Sequence, residues 1–123
     1  MLYEQQNTDR PIFIVADKGR ITQVLSNILN NALKFTAEGQ ILVDVSESDN
    51  KKEVIVSIAD TGSGIDKDIF TKLFSKFATK SSQGTGLGLF ISKSIIEAHG
   101  GKIWAENNKD GGSTFMFSLL VES

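Results

Sequence analysis

The chain has 123 residues, the length of one domain, and its 40% hydrophobic content is enough to bury a core at that size. A net charge of −2 gives no basic field for nucleic acid or an anionic membrane, and the sequence has neither a bilayer-length apolar run nor a signal-peptide pattern. With no cysteine it has no disulfides and no thiolate metal site, which fits a reducing compartment.

Residues 1–10 are polar and without period, and are expected to be a poorly ordered lead-in. After Pro11 comes a short apolar run, Ile12-Phe13-Ile14-Val15. It reads either as a buried strand or as a hydrophobic lead-in to a helix cap at Asp17. Asp17 is a good N-cap, and after Gly19 no Gly or Pro interrupts the chain until Gly39, so one helix is expected to run to about Thr36. Ile21, Val24, Leu25, Ile28, Leu29 and Ala32 recur at helical spacing and give it a buried face. Arg20, Gln23, Asn27, Asn31 and Lys34 fall within about 80° of arc beside that face, taking roughly 100° per residue. A solvated helix edge can look like this. Yet Asn is a mediocre helix former, and two amides one turn apart with a lysine have another use. An amide oxygen is a hard neutral ligand suited to Mg²⁺, and Lys is a point charge suited to phosphate.

Ile41, Val43 and Val45 alternate with polar residues, which predicts a half-buried strand. Turn chemistry at Asp49-Asn50-Lys51-Lys52 leads into a nearly continuous β-branched stretch, residues 54–59, expected as a central strand covered on both faces. That strand ends in Asp60-Thr61-Gly62-Ser63-Gly64-Ile65. A carboxylate at a strand end can accept from an exocyclic amine, and glycines beside it let a flat ligand approach the backbone; an ordinary turn would also use these residues. Asp66 is expected to cap a short helix reaching Phe74, and residues 75–85 are small and polar, as in a mobile loop.

Gly84-Thr85-Gly86-Leu87-Gly88-Leu89 then opens a second amphipathic helix, with Leu87, Ile91, Ile95 and Ala98 on one face and an end at His99-Gly100-Gly101. Unpaired N–H groups at a helix start attract anions, and glycines there admit a phosphate, although a flexible hinge is the plainer use of such a segment. No strand precedes it, its spacing is not G-x-G-x-x-G, and no Gly-Lys-Ser/Thr follows, so neither a dinucleotide fold nor a P-loop is indicated. Residues 102–106 and 113–121 read as strands around a turn at 107–112. Phe70, Phe74 and Phe77 read as core or loop anchors. His99, the only histidine, reads as a helix-end cap. The whole pattern predicts an α/β two-layer sandwich: one mixed, largely antiparallel sheet of about five strands with about three helices on one face.

Three pieces in order, Asn27-x-x-x-Asn31 with Lys34, Asp60-x-Gly62-x-Gly64, and Gly84-x-Gly86-x-Gly88, resemble the catalytic ATP-binding domain of sensor histidine kinases. They match that family's N box (residues 27–36), G1 box (60–65), F box (70–77) and G2 box (84–89). His99-Gly100-Gly101, Trp104 and Gly111-Gly112-Ser113-Thr114-Phe115 resemble its C-terminal strands. The likeness covers residues 11–121 and makes 11–123 the catalytic domain, with the family's first strand matched only at Leu2-Tyr3.

The resemblance implies Mg²⁺ on Asn31 with Asn27 beside it, Lys34 facing phosphates, and Asp60 accepting from the adenine amine with support from Thr114. It also implies a nucleotide-facing surface made of Gly62, Gly64, Ile65, Phe77, Gly84, Thr85, Gly86, Leu87 and Gly88. Residues 75–83 would be the ATP lid, from which Lys80 or Gln83 reaches the γ-phosphate. Hydrolysing relatives in the superfamily carry Glu where this chain has Asn27. An amide cannot take a proton at neutral pH, so Asn27 suits phosphoryl transfer to an imported nucleophile rather than to water. In the family that nucleophile is a histidine on a separate upstream dimerisation domain. The resemblance therefore implies a cytoplasmic, monomeric piece of a larger kinase whose partners are that domain and a response-regulator receiver, with no nucleic acid. A stand-alone ATPase and a non-catalytic docking module of the same fold are the rival readings.

Overall fold

The computed structural model describes residues 2–5, 14, 16–35, 39–48, 52–62, 64–65, 72–75, 88–109 and 111–121, with backbone alone for 2–5, 34 and 35. Helix α1 spans Lys18–Phe35. Asp17 caps it: its carboxylate accepts the Arg20 N–H at 3.1 Å, satisfying one of the donors that a first helical turn leaves open. Val24, Ile28 and Ala32 form the fully buried stripe of α1, and Ile21, Leu25 and Leu29 flank it.

Strands β2 (Ile41–Glu47) and β3 (Glu53–Asp60) form one antiparallel hairpin. Helix α2 (Gly88–Ala98) follows, and β4 (Ile103–Asn107) and β5 (Ser113–Leu120) form a second hairpin. β3 joins the two by pairing antiparallel with β5. β1 (Leu2–Gln5) adds a parallel edge beside β2, giving the order β1-β2-β3-β5-β4. Residues 2–5 are thus an edge strand rather than a disordered lead-in. The open edge of β2 offers backbone donors and acceptors to any extended segment, and four residues need no side-chain period to use them. Ile14 makes a single antiparallel bridge to Val121 and packs against the core.

Strand alternation puts Ile41 and Val43 of β2, Val54 and Ile58 of β3, and Phe115, Phe117 and Leu119 of β5 on the face that meets the helices. Burying each of these large side chains contributes about 1.5–3 kcal/mol. Leu73 joins this core, and Phe74 meets Phe115 edge to face with ring centroids 6.4 Å apart, so Phe74 is an anchor as expected. On the opposite face Ile55, Ser57 and Ala59 are only half-buried, and no described element packs there. β3 is central in the sheet as expected, but among the described residues only its helix-facing side meets another helix or strand, where the sequence suggests both.

Two helices lie among the described residues. The expected third falls mostly outside them, and its described part, 72–74, is a turn closed by the next residue, Ser75, whose N–H donates to the Lys72 carbonyl. In α2 the buried residues are Ser92, Ile95 and Ile96, while Ala98 is exposed, so the buried face is rotated from the predicted one and contains a hydroxyl. The helix ends at Gly100, whose φ of 77° closes a C-cap in which Gly100 N–H donates to Glu97 O and Gly101 N–H to Ile96 O.

His99 ties the two helices together. Its Nε2 accepts the Asp17 N–H at 3.0 Å and its Nδ1 donates to Ile95 O at 2.8 Å. The start of α1 therefore meets the end of α2, and the pair runs antiparallel. No described helix is long and apolar enough to cross a membrane.

Candidate functional site

The antiparallel pairing brings the middle of α1 to the first turn of α2. There the Asn27 amide nitrogen donates to Gly88 O and to Ser92 Oγ, each at 3.2 Å, and the Ser92 hydroxyl donates to Gly88 O at 2.9 Å. Gly88 and Asn27 are in close packing; a Cβ added at Gly88 would touch the Asn27 Cβ and Cγ at 3.8 Å. Because Gly88 O only accepts, the amide must turn its NH₂ toward α2 and its oxygen away. Asn31, half-buried and one turn further along α1, presents its carboxamide on the same edge, and its side chain makes no hydrogen bond among the described residues. Lys34 lies in the last turn of α1, and its side chain is outside the described residues.

The second cluster forms where β3 ends. Asp60 is on the helix-facing side and only 3% exposed. Its Oδ1 accepts Gly62 N–H at 2.9 Å and Ser113 N–H at 3.4 Å, and its Oδ2 accepts the Ser113 hydroxyl at 3.0 Å. A carboxylate has about four lone-pair sites, so Oδ2 keeps the capacity to accept one more donor. The turn after Asp60 is fastened by the β4–β5 hairpin. Asn107 bridges the Ile65 backbone from both sides, accepting its N–H at 2.7 Å and donating to its carbonyl at 3.2 Å. Asn108 donates to Asp60 O at 3.3 Å and accepts the Thr114 hydroxyl at 2.7 Å. Gly112 has φ of 81°, and a Cβ there would sit 1.9 Å from Asp60 O, so only glycine lets the two loops approach this closely.

Thr114 is the sequence-predicted support for Asp60, but the structure gives that contact to Ser113. Asp60 shares the helix-facing side of the sheet with Ser113, while Thr114, paired with Ala59, lies on the opposite face. Gly62, Gly64 and Ile65 belong to the fastened turn. Phe77, Lys80, Gln83, Gly84, Thr85, Gly86 and Leu87 lie outside the described residues, as do Phe70 and most of the expected lid. Sequence reasoning missed Ser92, Ser113, Asn107 and Asn108. Strand parity was enough to find Ser113, two residues before the apolar Phe115 and four before Phe117. Nothing in a two-asparagine turn told which backbone groups it would bind.

Among the described residues no group of three or more His, Asp or Glu could hold a metal ion. The donor set beside α2 is instead two neutral carboxamide oxygens. That fits Mg²⁺, which takes few protein ligands and completes its shell with water and substrate phosphates.

Residues 16–123 match the model of the histidine kinase-, DNA gyrase B- and HSP90-like ATPase family. Over 110 residues the chain is 46% identical to the sensor protein FixL of Bradyrhizobium diazoefficiens, aligning 86% of this chain with 21% of that one. Over 118 residues it is 38% identical to the sensor histidine kinase WalK of Bacillus subtilis, aligning 90% with 19%. The chain thus spans about a fifth of these curated relatives. Among solved structures, the catalytic domain of histidine kinase ThkA aligns with a TM-score of 0.81 at 41% identity, covering 96% of this chain and 76% of that one. Full-length ShkA in complex with AMPPNP aligns with a TM-score of 0.84 at 32% identity, covering 98% and 25%. The chain belongs to the histidine kinase-, DNA gyrase B- and HSP90-like ATPase family, and its relatives are sensor histidine kinases.

Proposed function

We propose that the chain binds Mg·ATP and presents the γ-phosphate to a histidine on a separate dimerisation domain of a two-component sensor kinase. The observation that carries this reading is the orientation of Asn27. Its two N–H donors are held by Gly88 and Ser92, which leaves the oxygen facing away from α2, on the helix edge that also carries Asn31. Bound Mg·ATP supplies the transferable phosphoryl group and the cation that neutralises its charge. The chain's own residues supply alignment. Asn31, with Asn27 beside it, contributes hard neutral oxygens to the cation; Lys34 contributes a positive charge near the phosphates; the spare acceptor capacity of Asp60 takes the adenine amine. Neither amide can accept a proton from water, which favours transfer over hydrolysis.

Support comes also from the relatives. ShkA, similar over nearly all of this chain, holds AMPPNP, and ThkA forms a complex with the response regulator TrrA. By analogy the partners here are an upstream histidine-bearing domain and a receiver domain, and the location is the cytoplasm.

Calorimetry with ATP, with and without Mg²⁺, tests the reading together with phosphate release by the purified chain. Mg²⁺-dependent binding with negligible hydrolysis is expected, and Asn31→Ala should weaken the Mg²⁺-dependent binding at least about tenfold, the loss of a charge-assisted ligand. Steady phosphate release that depends on Asn27 would favour a stand-alone ATPase. The absence of heat with any adenine nucleotide would favour a docking module.

A further inference from the structure

We propose that Ser92 is a positioning residue for the phosphate end of the site, deciding which end of the Asn27 carboxamide faces the metal and phosphates. The two ends of an asparagine amide are nearly isosteric, so its orientation is set by what its neighbours donate and accept. Ser92 is fully buried, with 0% exposure, which is unusual for a polar side chain in a short amphipathic helix. Its proton is committed to Gly88 O at 2.9 Å, so toward Asn27 the hydroxyl can only accept. Gly88 O is likewise an acceptor. Asn27 therefore faces two acceptors with its two N–H groups, and the three residues close a small ring of hydrogen bonds. Flipping the amide would set its oxygen against both acceptors, at a part-buried contact where the repulsion is only partly screened.

The neighbouring Ser94 gives the contrast. It also donates to the carbonyl four residues back, Phe90 O at 3.2 Å, but it is exposed; that is the ordinary behaviour of a helical serine. Ser92 makes the same bond and, in addition, accepts from another helix. Removing its hydroxyl would leave one Asn27 N–H without a partner and lower the penalty for the flipped amide. The site would then show a carboxamide of mixed orientation to the cation.

This inference rests on the proposed Mg·ATP reading, and its test separates the two. Ser92→Thr and Ser92→Val have the same shape and differ by the hydroxyl. In the full chain, each is titrated with ATP across a range of Mg²⁺ concentrations and with ADP in the absence of Mg²⁺; Asn31→Ala is run alongside. Ser92→Val should lose about fivefold in Mg²⁺-dependent affinity, the scale of one hydrogen bond, while Ser92→Thr stays within about twofold and Mg²⁺-free ADP binding stays unchanged in both. Equal losses in both variants would assign Ser92 to packing alone and overturn the proposal, as would full Mg²⁺ dependence in Ser92→Val. If Asn31→Ala also keeps its Mg²⁺ dependence, the metal reading itself has failed.

The side-chain amide resonances of Asn27 supply an arm that needs neither nucleotide nor the bulkier variants. In the unsubstituted chain both protons should be protected from exchange, and in Ser92→Ala one should become labile. Two freely exchanging protons in the unsubstituted chain would overturn the proposal.

Discussion

The two clusters are held in different ways. At the sheet end, Asp60 and the turn to Ile65 are fixed by bonds from the β4–β5 hairpin, mostly to backbone groups, and by a glycine packed against a carbonyl. At the helix end, one backbone carbonyl and one hydroxyl hold Asn27, and the Asn31 carboxamide makes no hydrogen bond among the described residues. Under the proposed Mg·ATP reading, with adenine at the sheet end and the cation at the helix end, the difference suits different tasks. A flat, largely apolar ring is recognised by a surface built in advance, because rigid donors and acceptors need no reorganisation. A hydrated cation with phosphates needs ligands that can still adjust, so fewer bonds are placed on them. If that contrast is real, damage at the sheet end should appear first as lost stability, and damage at the helix end first as lost metal-dependent binding.

The largest effect should follow Gly112→Ala. A Cβ there meets Asp60 O at 1.9 Å and Thr61 Cα at 2.9 Å, and a φ of 81° is strained for alanine. Both contacts are to backbone, so no side chain can swing away. A loss of about 4 kcal/mol or more is expected, read as a lower urea midpoint or as failure to fold. A loss under about 1 kcal/mol would mean that the hairpin does not grip β3, and the contrast between the two ends would go with it.

Asn27→Asp sharpens the comparison from the other end. It turns the two donors facing Gly88 O and Ser92 Oγ into acceptors, and only the single Ser92 proton is left to serve the new carboxylate and the carbonyl. About 2 kcal/mol of stability should be lost, with the larger relative change in Mg²⁺-dependent ATP affinity. Denaturant titration and calorimetry on the same preparation give both numbers. An unchanged melt with unchanged affinity would show that the amide was not held.

Much of this fold was legible in the sequence, for reasons that can be assigned to residues. The period of Val24, Ile28 and Ala32 and the cap at Asp17 are local signals, and both elements formed where those signals lie. The hairpins followed from alternation bounded by turn residues. β1 was not legible from local pattern, because it pairs by backbone at an edge and its four residues carry no period; only the family resemblance at Leu2-Tyr3 pointed to a strand there. In the candidate site, residue types were readable but their partners were not. Thr114 and Ser113 are adjacent hydroxyls, and only strand parity chooses between them. Nothing local marks Ser92, because its partner is 65 residues away. Hydrogen bonds of that sequence separation are set by packing, which no local window contains.

Asn107→Ala tests the sheet end without adding atoms. It leaves the Ile65 N–H and carbonyl without their protein partners at a partly exposed position where water can replace some of the loss. About 1.5 kcal/mol is expected, with adenine-nucleotide affinity reduced whether or not Mg²⁺ is present, since the turn and not the cation site is loosened. Reduction only in the Mg²⁺-dependent part would place Asn107 functionally at the wrong end.

The smallest effect belongs to His99→Ala, which removes the tie between the start of α1 and the end of α2. The Asp17 N–H loses its ring partner at an exposed position and Ile95 O still accepts the His99 backbone N–H at 3.2 Å, so about 1 kcal/mol of stability should go. The tie is ten residues along α1 from Asn27, roughly 15 Å at the rise of an α-helix. Groups that far apart with no shared partner usually act additively, so Mg²⁺-dependent affinity should stay within about twofold while the melting temperature falls. A parallel loss of metal-dependent binding would mean that the helix pair shifts as one body. The orientation of Asn27 would then depend on the whole length of the helix contact, and the hydrogen bonds at Gly88 and Ser92 would be only its local part.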